Sequence, residues 1–85
     1  MKWFRLSAEQ GNDVAQYNLG WVYSNGKGVV RDNIYAHMWY SIAALSGYTD
    51  ATYNRAIVEK RMSSSQISAA EKLAQDCAKM HHRGC

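Results

Sequence analysis

Slid against itself by 36 positions, the sequence meets a second copy of its own beginning. The run WFRLSAEQGNDVAQYN, Trp3 to Asn18, lies over WYSIAALSGYTDATYN, Trp39 to Asn54. Trp3 meets Trp39, Ala8 meets Ala44, Gly11 meets Gly47, Ala15 meets Ala51 and Tyr17-Asn18 meets Tyr53-Asn54. Phe4/Tyr40 and Leu6/Ile42 are close substitutes. A period in the thirties, built of two helices, marks units that bury their apolar faces only by stacking. A chain of 85 residues holds one small domain, and its proline-free, Ala-rich amphipathic runs point to helices. The predicted fold class is therefore all-α, a short α-α superhelix (solenoid) of antiparallel helix pairs, with about five helices.

Spacing and caps place the helices. The first is expected from Lys2 to about Gln10, ended by Gly11. Asp13 is expected to cap a second, Val14 to Ser24, whose inward stripe is Ala15, Leu19, Val22 and Tyr23. Gly20 costs about 1 kcal/mol against Ala inside a helix, so a close neighbour is expected there. Asp32 is a plausible cap for a third helix ending near Ser46. One apolar stripe on it is Ala36, Trp39, Tyr40 and Ala43, and another is Ile34, Met38, Ile42 and Leu45. Only Asn33, His37 and Ser41 form a narrow polar line. A helix this apolar belongs between neighbours. A fourth is expected from Asp50 to Arg61, where Arg55 and Glu59 replace Leu19 and Tyr23 of the first copy and could pair with each other. Ser63 and Gln66 have capping-box spacing for a last helix, with Ile67, Ala70, Ala74 and Cys77 on one face and Leu73 and Met80 beside it.

The residues Ala8, Gly11, Ala15-Gln16, Leu19-Gly20, Tyr23, Gly26 and Gly28-Val29, followed by Asp32, Ala36, Trp39, Ala43-Ala44 and Gly47, resemble a Sel1-like repeat. That family is related to the tetratricopeptide repeats. The resemblance covers residues 3–54 closely, and 55–80 resemble the segment that closes such arrays. It implies one Sel1-like domain over 1–85. Residues 1–11 would be the second helix of a partial repeat, 12–47 a full repeat, and 48–85 a capping helix pair and tail.

Chemistry is sparse. The Gly26-Lys27-Gly28 loop invites a phosphate-binding reading, but a phosphate loop follows a strand and opens directly into a helix. Here a helix precedes and Val29-Val30-Arg31 intervene, so the glycines are expected only to turn the chain. A net charge of +3, with Lys2, Lys27, Arg31, Lys60 and Lys79 scattered, is not the basic stripe of a nucleic-acid binder. No apolar run reaches membrane-spanning length. The start carries no legible leader, so a cytoplasmic chain is expected, or a periplasmic or secreted one if a leader was removed. His37 is expected to be solvated. His81, His82 and Cys85 match no standard zinc spacing, and neither metal nor cofactor is expected. Cys77 reads first as a small core residue. A bridge to Cys85 would need the chain to reverse near Gly84, and an intermolecular bridge is the other option.

By resemblance, such modules act as adaptors, with a protein or peptide partner held in a groove lined by successive first helices. In this chain the expected lining is Tyr17, Asn18, Trp21, Tyr53, Asn54 and Ile57. Tyr17 and Trp21 lie away from the packing stripe of their helix, either as core for another repeat or as exposed anchors. The alternative is a structural homo-oligomer or part of a longer array. Its open end would be the first helix, where Trp3, Phe4 and Leu6 have no preceding partner. A β-lactamase-like hydrolase is the third and least supported class, and no catalytic residue is assigned.

Overall fold

In the computed structural model, which describes the backbone of residues 2–81 and 85 and side chains from residue 5 onward, five helices follow one another. They are α1 (Lys2–Glu9), α2 (Asp13–Asn25), α3 (Asn33–Leu45), α4 (Thr49–Glu59) and α5 (Ser64–Lys79). The fold is all-α, of solenoid type. Trp3 and Phe4 fall outside the described side chains, and His82 outside the described residues.

Local chemistry sets most of the boundaries. Asp32 caps α3, its carboxylate accepting the Tyr35 N–H at 3.0 Å. The Ser63–Gln66 capping box forms in both directions at the start of α5. At α2 the cap is Asn12 and not Asp13: Asn12 Oδ1 accepts the Ala15 N–H at 3.0 Å. Asp13 then stands in the first turn, where its charge complements the helix dipole. The equivalent of Asn12 one repeat later is Tyr48, which makes no side-chain cap bond. Its ring lies 4.8 Å from that of Tyr17, so packing replaces the lost cap and α4 begins one residue earlier than Asp50. After α2, Gly26 (φ 67°) and Gly28 (φ 81°) take left-handed conformations. The Gly26 N–H returns to the Val22 carbonyl, and Asp32 N–H reaches the Tyr23 carbonyl at 3.0 Å. The loop is a helix–helix turn.

Helix α3 is the axis of the packing. Every residue from Ala36 to Ser41, and on to Ala43, is buried. Trp39, Met38 and Ile42 pack with Ala8 of α1, Ala15 and Leu19 of α2, and Ala74 and Cys77 of α5. Ala36, Tyr40 and Ala43 pack on the other side with Ala51 and Val58 of α4. Each large apolar side chain so covered contributes about 1.5–3 kcal/mol. Leu45, at the end of its stripe, is not covered and is 80% exposed.

Two details hold the layers in register. A Cβ added at Gly20 would lie 2.5 Å from Cδ1 of the Tyr40 ring, so the ring occupies the space a larger residue would need. Gln16 is fully buried, and its amide donates to the Ala8 carbonyl (3.1 Å) and accepts the Ser46 hydroxyl (3.1 Å). One side chain thus ties α1, α2 and the end of α3, with its polar atoms satisfied.

In α5, Cys77 is both core residue and bridge. It is bonded to Cys85 with a Cα–Cα separation of 5.8 Å, and Cys85 joins the same core cluster. His81 takes a left-handed conformation (φ 55°) after the last turn of α5, where the chain leaves the helix axis.

Two stability measurements follow from this packing. Helix propensity alone would make Gly20→Ala stabilising by about 1 kcal/mol. The clash with the Tyr40 ring should reverse the sign to a net loss of about 1–2 kcal/mol in urea unfolding, and a gain would show that the ring moves freely. Reduction of Cys77–Cys85 should lower stability by about 2–3 kcal/mol. Thiol titration of the unfolded protein should find none before reduction and both cysteines after it.

Candidate functional site

The 36-residue self-match of the sequence lays α4 over α2, and two contacts set the two helices side by side. Near the start of α2, the Tyr17 hydroxyl accepts from Asn54 Nδ2 at 3.0 Å. At its end, Arg61 donates to the Ser24 carbonyl at 3.1 Å. Both pairs are separated by 37 residues, so α2 and α4 run parallel. Trp21 lies between Tyr17 and Ser24, and Ile57 between Asn54 and Arg61, three or four residues from each contact. At helical spacing that puts Trp21 and Ile57 on the same faces as the seam.

The six residues singled out from the sequence divide into two groups. Tyr17 and Asn54 are turned toward each other. The Tyr17 ring is half-buried against Tyr40 (5.5 Å between centroids) and Tyr48, so it belongs partly to the core. Asn54 gives its second amide hydrogen to the Asp50 carbonyl at 2.9 Å, so neither N–H remains for another molecule. Trp21 is 44% exposed and Tyr53 71% exposed, while Asn18 and Ile57 are half-buried. Asn18 also lines an open hollow of about 300 Å³ with Ser7, Asn12, Asp13, Val14 and Ala15. A similar hollow of about 310 Å³ sits at Gly47–Asp50, the matching place in the next copy.

The polar line of α3 does not face solvent. His37 is 1% exposed, and its Nε2–H donates to Glu59 Oε2 at 2.7 Å. Ser41 lies 3.4 Å from His37 Nδ1 and accepts from Arg55 at 3.4 Å. Arg55 and Glu59 therefore reach across to α3 and do not pair with each other as expected. Two signals were present: a polar line on an otherwise apolar helix, and two polar replacements at packing positions of the facing helix. Each explains the other, because buried polar groups need partners. Ser41, His37 and Glu59 are the residue types of a nucleophilic triad. However, Ser41 is only 6% exposed and sits mid-helix, where backbone N–H groups are committed to the helix and cannot hold an oxyanion. The arrangement serves as a clamp between α3 and α4.

The chain contains one Ser-x-x-Lys spacing, Ser24 to Lys27, the spacing of a β-lactamase-type nucleophile. Ser24 is buried at the end of α2, and its hydroxyl donates to the Trp21 carbonyl at 3.2 Å. Gly26 has already turned the chain before Lys27. These contacts make Ser24 part of the helix end and not an activated nucleophile. Among the described residues, no group of three or more His, Cys, Asp or Glu side chains is placed to hold a metal. Among the described residues, no helix is long and apolar enough to cross a membrane.

Comparison with known proteins agrees with this fold. The family model of the Sel1 repeat matches residues 1–12 and 13–48. The chain is similar to the crystal structure of c5321, a protective antigen present in uropathogenic Escherichia coli strains that displays an SLR fold. The TM-score is 0.89 at 37% identity, over 94% of this chain and 17% of the antigen. The chain thus spans about a sixth of that protein's length. Comparison with curated proteins returns no match.

Burial of the tyrosines at the α2–α3–α4 junction can be read by titration. Tyr40 is raised above the ordinary tyrosine value of 10.0, chiefly by burial and further by Tyr17, against the lowering effects of the Ser24 contact and Arg61. Tyr17 is also raised, by burial first and then by the charge of Asp50. A raised folded-state value means that the folded protein keeps a proton the unfolded chain has lost. Stability should be intact below about pH 10 and fall as pH rises through the folded-state values. Absorbance at 295 nm should show part of the tyrosine signal titrating late and together with unfolding. Uniform titration near pH 10 would contradict that burial.

Proposed function

The chain belongs to the Sel1 repeat family, and on that premise we propose that it is an adaptor module that holds a peptide or protein partner across the outward face of α2 and α4. Sel1 repeats are generally protein-interaction modules built as helical scaffolds rather than as enzymes. The observation that carries the reading is Trp21. Of the described large aromatics on α2 and α3, Trp39 and Tyr40 are enclosed, and Tyr17, Tyr23 and Tyr35 pack on other rings. Trp21 alone among them stays 44% exposed, on the face shared with Ile57. A half-exposed tryptophan next to half-buried aliphatic and amide groups is the composition of an interaction anchor. Asn18 and Tyr53 flank this line, and the Tyr17–Asn54 pair forms its floor. In this reading Tyr17 and Asn54 shape the surface, while Trp21, Asn18, Tyr53 and Ile57 touch the partner.

A second reading has its own observation. Leu6 and Val14 are each close to half exposed at the edge of α1 and α2, where a preceding first helix would stack. Two copies could cover these edges mutually.

Panning a random-peptide display library against the folded protein tests the first reading. Peptides should be enriched whose binding falls about ten-fold or more on Trp21→Ala, a loss typical of an anchor. Circular dichroism of that variant should match the parent. Loss of helicity would make Trp21 a core residue, and no enrichment would sink the groove. Light scattering separates the second reading: a monomer of 9.6 kDa leaves the edges open, whereas a dimer insensitive to reductant would place them at an interface.

A further inference from the structure

Because α2 and α4 are parallel, their C-termini lie at one end of the proposed groove. That end is cationic. Lys27 follows α2 and Lys60 and Arg61 follow α4, all three exposed. Arg31 returns against the same turn, its Cβ 3.3 Å from where a side chain on Gly26 would begin. The two carboxylates nearby already have donors: Asp32 accepts the Tyr35 N–H, and Glu59 accepts from His37 on the side facing α3. The opposite end carries Asp13 and Asp50 in the first turns of α2 and α4. The plain explanation of the cations is the helix dipole. Two C-termini, at about half a negative charge each, are balanced by the N-termini of α3 and α5 at the same end, so the four cations less the Asp32 and Glu59 carboxylates leave a surplus of about two positive charges. Arg61 is the informative member. One amino group is held by the Ser24 carbonyl, which fixes the guanidinium between the two helices while the side chain stays exposed. A pre-positioned guanidinium fork one helical turn from a half-exposed tryptophan suits a carboxylate near an apolar side chain.

We propose that the groove takes an acidic peptide, its apolar residues on Trp21 and Ile57 and its carboxylates over Arg61, Lys60, Lys27 and Arg31. This rests on the groove reading above and adds the charge of the partner. The Asp13/Asp50 end sets direction, because an acidic segment laid the other way meets like charge.

The test uses three fluorescein-labelled nonapeptides with a central Trp-Leu pair, flanked by glutamates, glutamines or lysines, plus a labelled oligothymidylate. Binding is followed by anisotropy. The glutamate peptide should bind about ten-fold tighter than the glutamine peptide at low salt, and the lysine peptide weakest. That advantage should vanish in Arg61→Glu and in Lys60→Glu, and shrink in about 0.5 M NaCl. Arg61→Glu also loses a bond to α2, so its circular dichroism is compared with the parent, and Lys60→Glu gives the same readout without that loss. If glutamate and glutamine peptides bind equally, and both are lost on Trp21→Ala, the groove stands and the acidic preference is overturned. If no peptide binds, both readings fall. Tighter binding of the oligothymidylate would overturn the proposal in favour of a nucleic-acid surface.

Discussion

The constraint on which the rest of the structure depends is that α3 has almost no side suited to water. Its run from Ala36 to Ala43 is enclosed by α1, α2 and α5 on one side and by α4 on the other. Covering that run requires close approach, and Gly20 permits it by leaving room for the Tyr40 ring. The same enclosure buries His37 and Ser41. Desolvating these groups without partners would cost about 1–3 kcal/mol each, and Glu59 and Arg55 of α4 supply the partners. The apolar faces bring the helices together, and the polar inset sets the register of α4 against α3.

A consequence is that α4 cannot repeat α2. Leu19 and Tyr23 pack inward on the first copy, whereas Arg55 and Glu59 at the matching positions clasp α3. The Gly-rich turn is likewise replaced by a serine-capped entry into α5, whose outer residues are mostly polar. The bridge from Cys77 to Cys85 brings Cys85 to the core shared with Trp39 and Ile42.

The proposed groove is a by-product of equal spacing. The Tyr17–Asn54 and Ser24–Arg61 contacts recur at the same sequence separation, so the parts of α2 and α4 between them present matching faces. What differs on those faces, Trp21 on one helix and Ile57 on the other, is where recognition would reside. Parallel helices also stack like charges at like ends, which gives the surface an acidic and a basic end without any single run of charge in the sequence.

Periodicity alone was enough to establish the number of helices, the apolar character of α3, the need for space at Gly20 and the caps at Asp32 and Ser63, because these follow from local spacing and backbone chemistry. It could not show that Asn12 rather than Asp13 caps α2, since neighbouring residues of equal capping power are separated only by where the turn delivers the chain. Nor could it show that His37 is buried against Glu59, that Tyr17 and Asn54 satisfy each other, or that Cys77 meets Cys85. Each of these joins residues that are brought together only by the angle at which one helix packs on another or by the path of a returning tail. A polar residue on a helix reads as solvated until its facing helix is known, and that helix is placed by the tertiary structure.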